Sequence, residues 1–362
     1  MSDSKFICKA PWVSVALQPS GQVGPCCLFE LEDLRDIKTP VENTFEKERN
    51  DFLAGKVPHG CKKCHYSFLE TGKSAANGFD QYQTDFNKVK IQEINVKSNN
   101  ICNLACRSCG PHFSSKWEEE FGPTIAITKD SQVLDKLKLL NLSTLKTVVI
   151  AGGEPTMTQE HVEVLQNLLA IGHTDVAIRI STNVTNLKYK QLDLISFWKN
   201  FPNLQLQLSI DAVQDRAKHI RSGTDWEVVS KNLETIIASG ISHYINITVS
   251  ALNIWFLEET LVHLKNTYNI KKISFNVLFG PEQLSIQVIP MEYRDDLNQM
   301  LDRCTALGYN VSQIKTYFNG TCKQTLWPDF LIYNFILDRS RNENLFEILP
   351  IKKDLIDRWL KL

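Results

Sequence analysis

Residues 91–110 read Ile-Gln-Glu-Ile-Asn-Val-Lys-Ser-Asn-Asn-Ile-Cys-Asn-Leu-Ala-Cys-Arg-Ser-Cys-Gly, and this stretch decides the fold. Its first seven residues are a short β-rich run. Cys102, Cys106 and Cys109 follow directly, on the loop at the carboxyl end of that strand. Three soft ligands within eight residues wrap one metal centre, because thiolates select zinc or iron–sulfur chemistry. A structural zinc site closes with four protein ligands, whereas a centre that takes a substrate or cofactor leaves a position open. The spacing C-x3-C-x2-C, with no local fourth cysteine, points to the open kind; a zinc knuckle completed by His112 is the alternative.

Five more β-rich runs follow Ile91–Lys97: Lys146–Ala151, Val176–Thr182, Gln205–Asp211, Tyr244–Ser250 and Ile273–Leu278. Between them Gln159–Ala170, Leu187–Lys199, Trp226–Ser239 and Leu257–Tyr268 have helical spacing, and Gly240 fits a helix stop. This alternation predicts βα units and a parallel sheet. Six right-handed units close into part of a barrel or spread as an open doubly wound sheet, and periodicity does not choose between them. Beyond Pro290 we expect a helix over Met291–Leu307, irregular polar sequence with scattered aromatics, and a last short helix at Lys352–Leu362. Residues 1–85 show little continuous apolar pattern beyond a strand near Trp12–Gln18, so something other than a large core, such as a metal centre, is expected to organise them.

The 362-residue chain carries 40 Lys+Arg against 41 Asp+Glu, with 43% apolar and 22% charged residues, which places it among soluble globular proteins. The balanced charge argues against general nucleic-acid binding, which rests on excess basic residues. No apolar run of about 18 residues suggests a membrane span, and the opening lacks the apolar core of a secretory signal. The expected compartment is the cytoplasm, where thiols stay reduced and clustered cysteines mean metal or redox chemistry. Of the ten cysteines, Cys8, Cys26, Cys27, Cys61 and Cys64 come first, then the triplet, while Cys304 and Cys322 stand apart and read as small buried hydrophobes.

The triplet resembles the cluster loop of the radical S-adenosylmethionine (SAM) superfamily, although the position before the last cysteine, commonly aromatic there, is Ser108. The second strand ends in Gly152-Gly153-Glu154-Pro155, similar to that family's Gly-Gly-Glu-Pro element. Glycines at a strand end let a ligand meet bare backbone, and Glu154 offers an acceptor to an ammonium group. The resemblance implies a 4Fe–4S cluster on Cys102, Cys106 and Cys109 whose open iron chelates SAM. Further SAM contacts are implied at Ser181 and Asn183 after the third strand, at Ser209 and Asp211 on the fourth, and at Arg221. Strand-end caps and surface ion pairs are the structural alternatives for these residues.

The N-terminal set Cys8, Cys26, Cys27, Cys61 and Cys64 resembles a SPASM/twitch auxiliary-cluster module, which usually follows the barrel and here precedes it. Five cysteines suffice for one four-ligand 4Fe–4S cluster, with Cys8, Cys26, Cys61 and Cys64 as ligands and Cys27 as a substitute or buried thiol. A zinc ribbon is the alternative, since Cys61-x2-Cys64 is also a zinc spacing. The expected domains are thus an auxiliary module over 1–85, a partial (β/α)6 TIM-like radical SAM core over 86–290 and an extension over 291–362. The implied activity is reductive SAM cleavage and hydrogen abstraction, fed by an electron donor such as flavodoxin or ferredoxin. The substrate is a peptide or protein residue, or alternatively a small molecule; a noncatalytic metal-stabilised scaffold is the remaining reading.

Overall fold

The computed structural model describes residues 6–72, 74–122 and 131–351, so the helix expected at 352–362 lies outside the described residues. Thirteen strands form among them. They are β1 Ser14–Leu17, β2 Gln22–Gly24, β3 Arg35–Asp36, β4 Glu93–Lys97, β5 Ala105–Cys106, β6 Thr147–Ala151, β7 Ala177–Thr182, β8 Lys188–Tyr189, β9 Leu192–Asp193, β10 Leu204–Ser209, β11 Arg221–Ser222, β12 Ser242–Val249 and β13 Ile273–Val277. All six runs expected from sequence are present, as β4, β6, β7, β10, β12 and β13. Two compact units divide the chain: Met1–Ile101, Ile125–Ser181 and Lys188–Gln205 make one, and Cys102–Thr124, Thr182–Leu187 and Leu206–Leu362 the other.

In the first unit β4 pairs parallel with β6, Glu93 opposite Thr147 through Lys97 opposite Ala151, and β6 pairs parallel with β7. Successive strands are neighbours in chain order, as in the winding of a barrel. Because side chains alternate across a strand, Ile94, Val96, Val148, Ile150, Ile178 and Ile180 share one fully buried face. The other face is more polar, with Glu93 and Asn95 on β4, Thr147 on β6 and Arg179 on β7. Tyr82 donates to Glu93 Oε2 (2.6 Å) and Thr147 Oγ1 (2.8 Å) there. The fold is mixed α/β with a parallel central sheet, as a partial TIM-like barrel requires.

Among the described residues of 6–85, apolar packing does more than their sequence suggests. The strand β1 adds to the sheet in parallel beside β4, Ser14 opposite Glu93, and continues into the antiparallel β2 and β3. Trp12, Phe52, Phe79 and Tyr82 are buried in one cluster with Cys8, so this region has an apolar core after all. Its members come from short stretches near residues 8–13, 52 and 76–82, and no period reveals them.

In the second unit β12 and β13 pair parallel. The helix Trp226–Ser239 is capped by Asp225, which accepts from Glu227 N and Val228 N, and ends at Gly240 in the left-handed conformation. The helices Gln159–Ala170 and Leu257–Tyr268 form as expected. The helix expected over Leu187–Lys199 is only Leu194–Trp198, because β8 and β9 make a small hairpin before it. The tail is the larger departure: after the helix Arg294–Ala306, two more form at Ser312–Phe318 and Trp327–Arg341 where irregular sequence was expected. The buried stripe of the last is Trp327, Phe330, Leu331, Asn334, Leu337 and Asp338, and its two polar members break the apolar period. Among the described residues no helix is long and apolar enough to cross a membrane.

His161, fully buried in the first unit, accepts a hydrogen bond at Nε2 from Trp198 Nε1 (2.9 Å). Burial pushes its pKa down to about 4, so the folded state keeps the ring neutral while the unfolded state binds a proton below about 6.5. Stability is therefore unaffected above pH 6.5 and falls between about 6.5 and 4, by about 2 kcal/mol from pH 7 to pH 5. Urea unfolding of His161→Gln against the parent at these two pH values checks this; an identical acid loss in both would refute it.

Candidate active site

The cysteine loop is built within the second unit. Cys102, Leu104 and Cys106 are buried together with Cys109 against them. The loop conformation is fixed by neighbours at its C-terminal side: Ser115 Oγ accepts from Cys102 N (3.2 Å), Ser114 Oγ donates to the Leu104 carbonyl (2.6 Å), and Trp117 Nε1 to that of Cys106 (2.9 Å). β5 pairs antiparallel with β11, which sets Arg221 opposite Cys106. The Cys106 thiol is drawn down to about 7, first by its hydrogen bond with Cys109 and then, against burial, by the Arg221 guanidinium.

Arg221 donates from Nη1 to Asp211 Oδ2 (2.8 Å), and the other carboxylate oxygen accepts from Thr248 N (2.7 Å). Asp211 therefore joins an ion pair and does not cap the next helix. Arg221 Nε is buried with no hydrogen-bond partner. Asn183 donates to Asn103 Oδ1 (3.0 Å) and towards Cys102 Sγ (3.9 Å), tying the end of β7 to the cysteine loop. Ser209 ends β10, half-buried.

Three of the expected residues, Gly152, Gly153 and Glu154, follow β6 in the first unit, with Pro155 next and Ser181 half-buried near the end of β7. Their glycines have a different reason from the one expected. Gly153 N donates to Asn99 O (2.8 Å) and Glu154 N to Ile101 O (2.7 Å), so the turn grips the segment just before Cys102. A Cβ on Gly153 would stand 2.2 Å from Ile101 O and 2.6 Å from Asn100 C: its bareness admits the chain's own backbone, not a ligand. Glu154 Oε1 accepts from Thr156 N (3.1 Å) and Oγ1 (2.8 Å).

The auxiliary set lies in the first unit. Cys8, Cys26, Cys61 and Cys64 line one small cavity with Phe6 and Leu28, while Cys27 is exposed and its carbonyl accepts from Lys97 Nζ (3.4 Å). Burial pushes the Cys8 thiol up to about 12 and raises Cys26 and Cys61 as well, so without a metal these are neutral thiols. Among the described residues no three cysteine sulfurs lie within 4.8 Å of one another. None of the ten cysteines forms a disulfide. Cys304 is buried, as expected, against Met300 (3.6 Å); Cys322 is not, since its loop is polar and exposed.

Sequence reasoning missed Arg107, between the second and third cysteines. It is wholly buried, and it is held by the tail helix: Nη1 donates to Asn334 Oδ1 (3.1 Å), and Nη2 pairs with Asp338 and with Glu343 Oε2 (2.8 Å). The signal was a buried-face Asn and Asp four residues apart in an otherwise apolar stripe.

Residues 96–268, just under half of the chain, match the Radical SAM superfamily. No curated protein matches the sequence. Among solved structures, histidine-tagged anSMEcpe with bound AdoMet is similar at 20% identity and a TM-score of 0.42, over 58% of this chain and 57% of that one. Streptococcus suis SuiB bound to S-adenosylmethionine is similar at 14% identity and a TM-score of 0.39, over 75% and 60%. TYW1 with a lysine-pyruvate adduct bound is similar at 17% identity and a TM-score of 0.40, over 68% and 82%. The first two likenesses thus span less than two thirds of those proteins' lengths, and at these scores none assigns a substrate.

The close approach at Gly153 predicts that Gly153→Ala costs about 3 kcal/mol, as overpacking against backbone does. Gly78→Ala, where a Cβ meets nothing within 4 Å, should be neutral or gain about 0.5 kcal/mol. Chemical denaturation of both checks the contrast, and equal midpoints would refute it.

Proposed function

We propose, from the premise that residues 96–268 are a radical SAM domain, that the chain cleaves SAM reductively and takes a hydrogen atom from a residue of a peptide or protein. A 4Fe–4S cluster on Cys102, Cys106 and Cys109, with SAM, would supply the chemistry: one-electron cleavage to methionine and a 5′-deoxyadenosyl radical that abstracts the hydrogen. The protein's part is to bind, orient and exclude water.

The observation that carries this reading is the three-thiol loop paired with a half-buried Arg221 whose buried Nε lacks an acceptor. A buried donor left unmade costs about 1–3 kcal/mol, and a carboxylate arriving beside the thiols relieves it. Arg221, aimed by Asp211, suits the SAM carboxylate, since a planar fork matches that group. Glu154 is the acceptor for the SAM ammonium, in the turn of Gly152, Gly153 and Pro155. Ser181, Asn183 and Ser209, near strand ends, serve the ribose and adenine, the face where barrel sites sit.

Cys8, Cys26, Cys61 and Cys64 hold one auxiliary 4Fe–4S cluster in a SPASM/twitch-like module, with Cys27 in reserve. Four thiols on one cavity support this. The peptide substrate rests on analogy with that module. A flavodoxin or ferredoxin is the electron donor, and a reducing cytoplasm accords with ten cysteines that form no disulfide.

Anaerobic reconstitution should load about eight irons per chain, from two four-iron clusters, and dithionite should then release 5′-deoxyadenosine. Cys106→Ala should abolish that release, whereas Cys61→Ala should spare it and lose only the auxiliary iron. Bound zinc with no deoxyadenosine, or undiminished cleavage by Cys106→Ala, would overturn the assignment.

A further inference from the structure

We propose that the C-terminal helix Trp327–Arg341, with Glu343 beyond it, supplies the positioning residues of the cysteine loop, acting through Arg107. The inference rests on the radical SAM reading above for the identity of the cluster, but its geometry stands independently within the second unit.

Arg107 lies between two of the three thiols, and none of its surface meets solvent. A guanidinium has five N–H donors, and here five acceptors meet them. Nε donates to His219 O (2.9 Å), Nη1 to Asn334 Oδ1 (3.1 Å) and Asn334 O (3.4 Å), and Nη2 to Asp338 and Glu343 Oε2 (2.8 Å). The backbone of Arg107 is held as well: its N–H donates to Ile220 O (3.0 Å), and its carbonyl accepts from Tyr333 OH (2.7 Å). The tail thus grips both the side chain and the peptide between Cys106 and Cys109.

A second layer locks the first. Asp338 Oδ2 accepts from Leu345 N (2.8 Å), closing the turn after the helix. Arg341 donates to Ser222 Oγ (3.0 Å) beside Glu343, pairs with Glu120 (2.9 Å) and lies over the Trp117 ring, whose Nε1 holds the Cys106 carbonyl. Surface ion pairs of this number would mean little. Arg107 and its partners are buried, and breaking such a set leaves an uncompensated charge.

Two consequences follow for the cluster. Rigid partners behind metal ligands affect retention of the metal, typically by 10–100-fold. Asp338 and Glu343 also neutralise a positive charge next to Cys106 and two residues before Cys109, and local charge is one of the factors that set a cluster's potential. Removing either carboxylate withdraws one negative charge from beside the ligands and makes the cluster easier to reduce.

The test uses the full reconstituted chain and its SAM-responsive EPR signal, which separates this cluster from any other iron. Asp338→Asn and Glu343→Gln, which keep shape, should move the midpoint potential of that signal positive. Tyr333→Phe removes one hydroxyl and needs no buried charge change, so it remains informative if the charge variants fold poorly. It and Arg107→Lys should speed chelator removal of the responsive cluster about 10-fold to 100-fold. Parental potential and parental iron loss in folded variants, with the parent still SAM-responsive, would overturn the proposal and leave the radical SAM reading standing. A parent with no SAM-responsive cluster would overturn both.

Discussion

A buried positive charge constrains the second unit more than any apolar contact does. Arg107 has no solvent to fall back on, and an unpaired guanidinium in such surroundings costs several kcal/mol. The chain meets this demand by bringing residues more than 220 positions away onto the cysteine loop. The tail helix presents Asn334 and Asp338 in its buried stripe, and the turn to Glu343 completes the set. Once these are in place, the loop between Cys106 and Cys109 has little freedom left, and a loop that holds a reactive centre gains from being rigid before the centre arrives.

The segment leading into that loop is fixed by a different force in the first unit. There the Gly152-Gly153 turn lies so close to residues 99–101 that only a bare backbone fits, and two peptide hydrogen bonds secure it. The strands β4 and β6 run side by side in register up to this point, so the turn and residues 98–101 share one level at the carboxyl ends of these strands. Barrel sites collect there because loops can vary while the strands beneath stay rigid.

The two cysteine groups show how similar thiols are handled by different supports. The N-terminal four sit in an apolar setting with Phe6 and Leu28 and are pushed towards the neutral form by burial. On the loop, Cys106 has a guanidinium opposite and a thiol donor, and its ionisation is correspondingly easier.

The sequence by itself determined the six core strands, most of the helices between them, and the grouping of cysteines, because these depend on side-chain period and local spacing. Parallel pairing followed from the βα alternation, and β4, β6 and β7 lie side by side in chain order. The strand β1 was legible near Trp12–Gln18, but the core around Trp12 escaped notice because its members come from short stretches near residues 8–13, 52 and 76–82. The tail escaped for the opposite reason, since polar residues occupy the face a periodic reading expects to be apolar. Only the tertiary structure decided that Arg107 is buried, that Asp211 pairs with Arg221, and that Gly153 meets backbone. Each of these depends on groups distant in sequence arriving within 3 Å or so of one another, and hydrogen bonds at that range leave no mark on local composition.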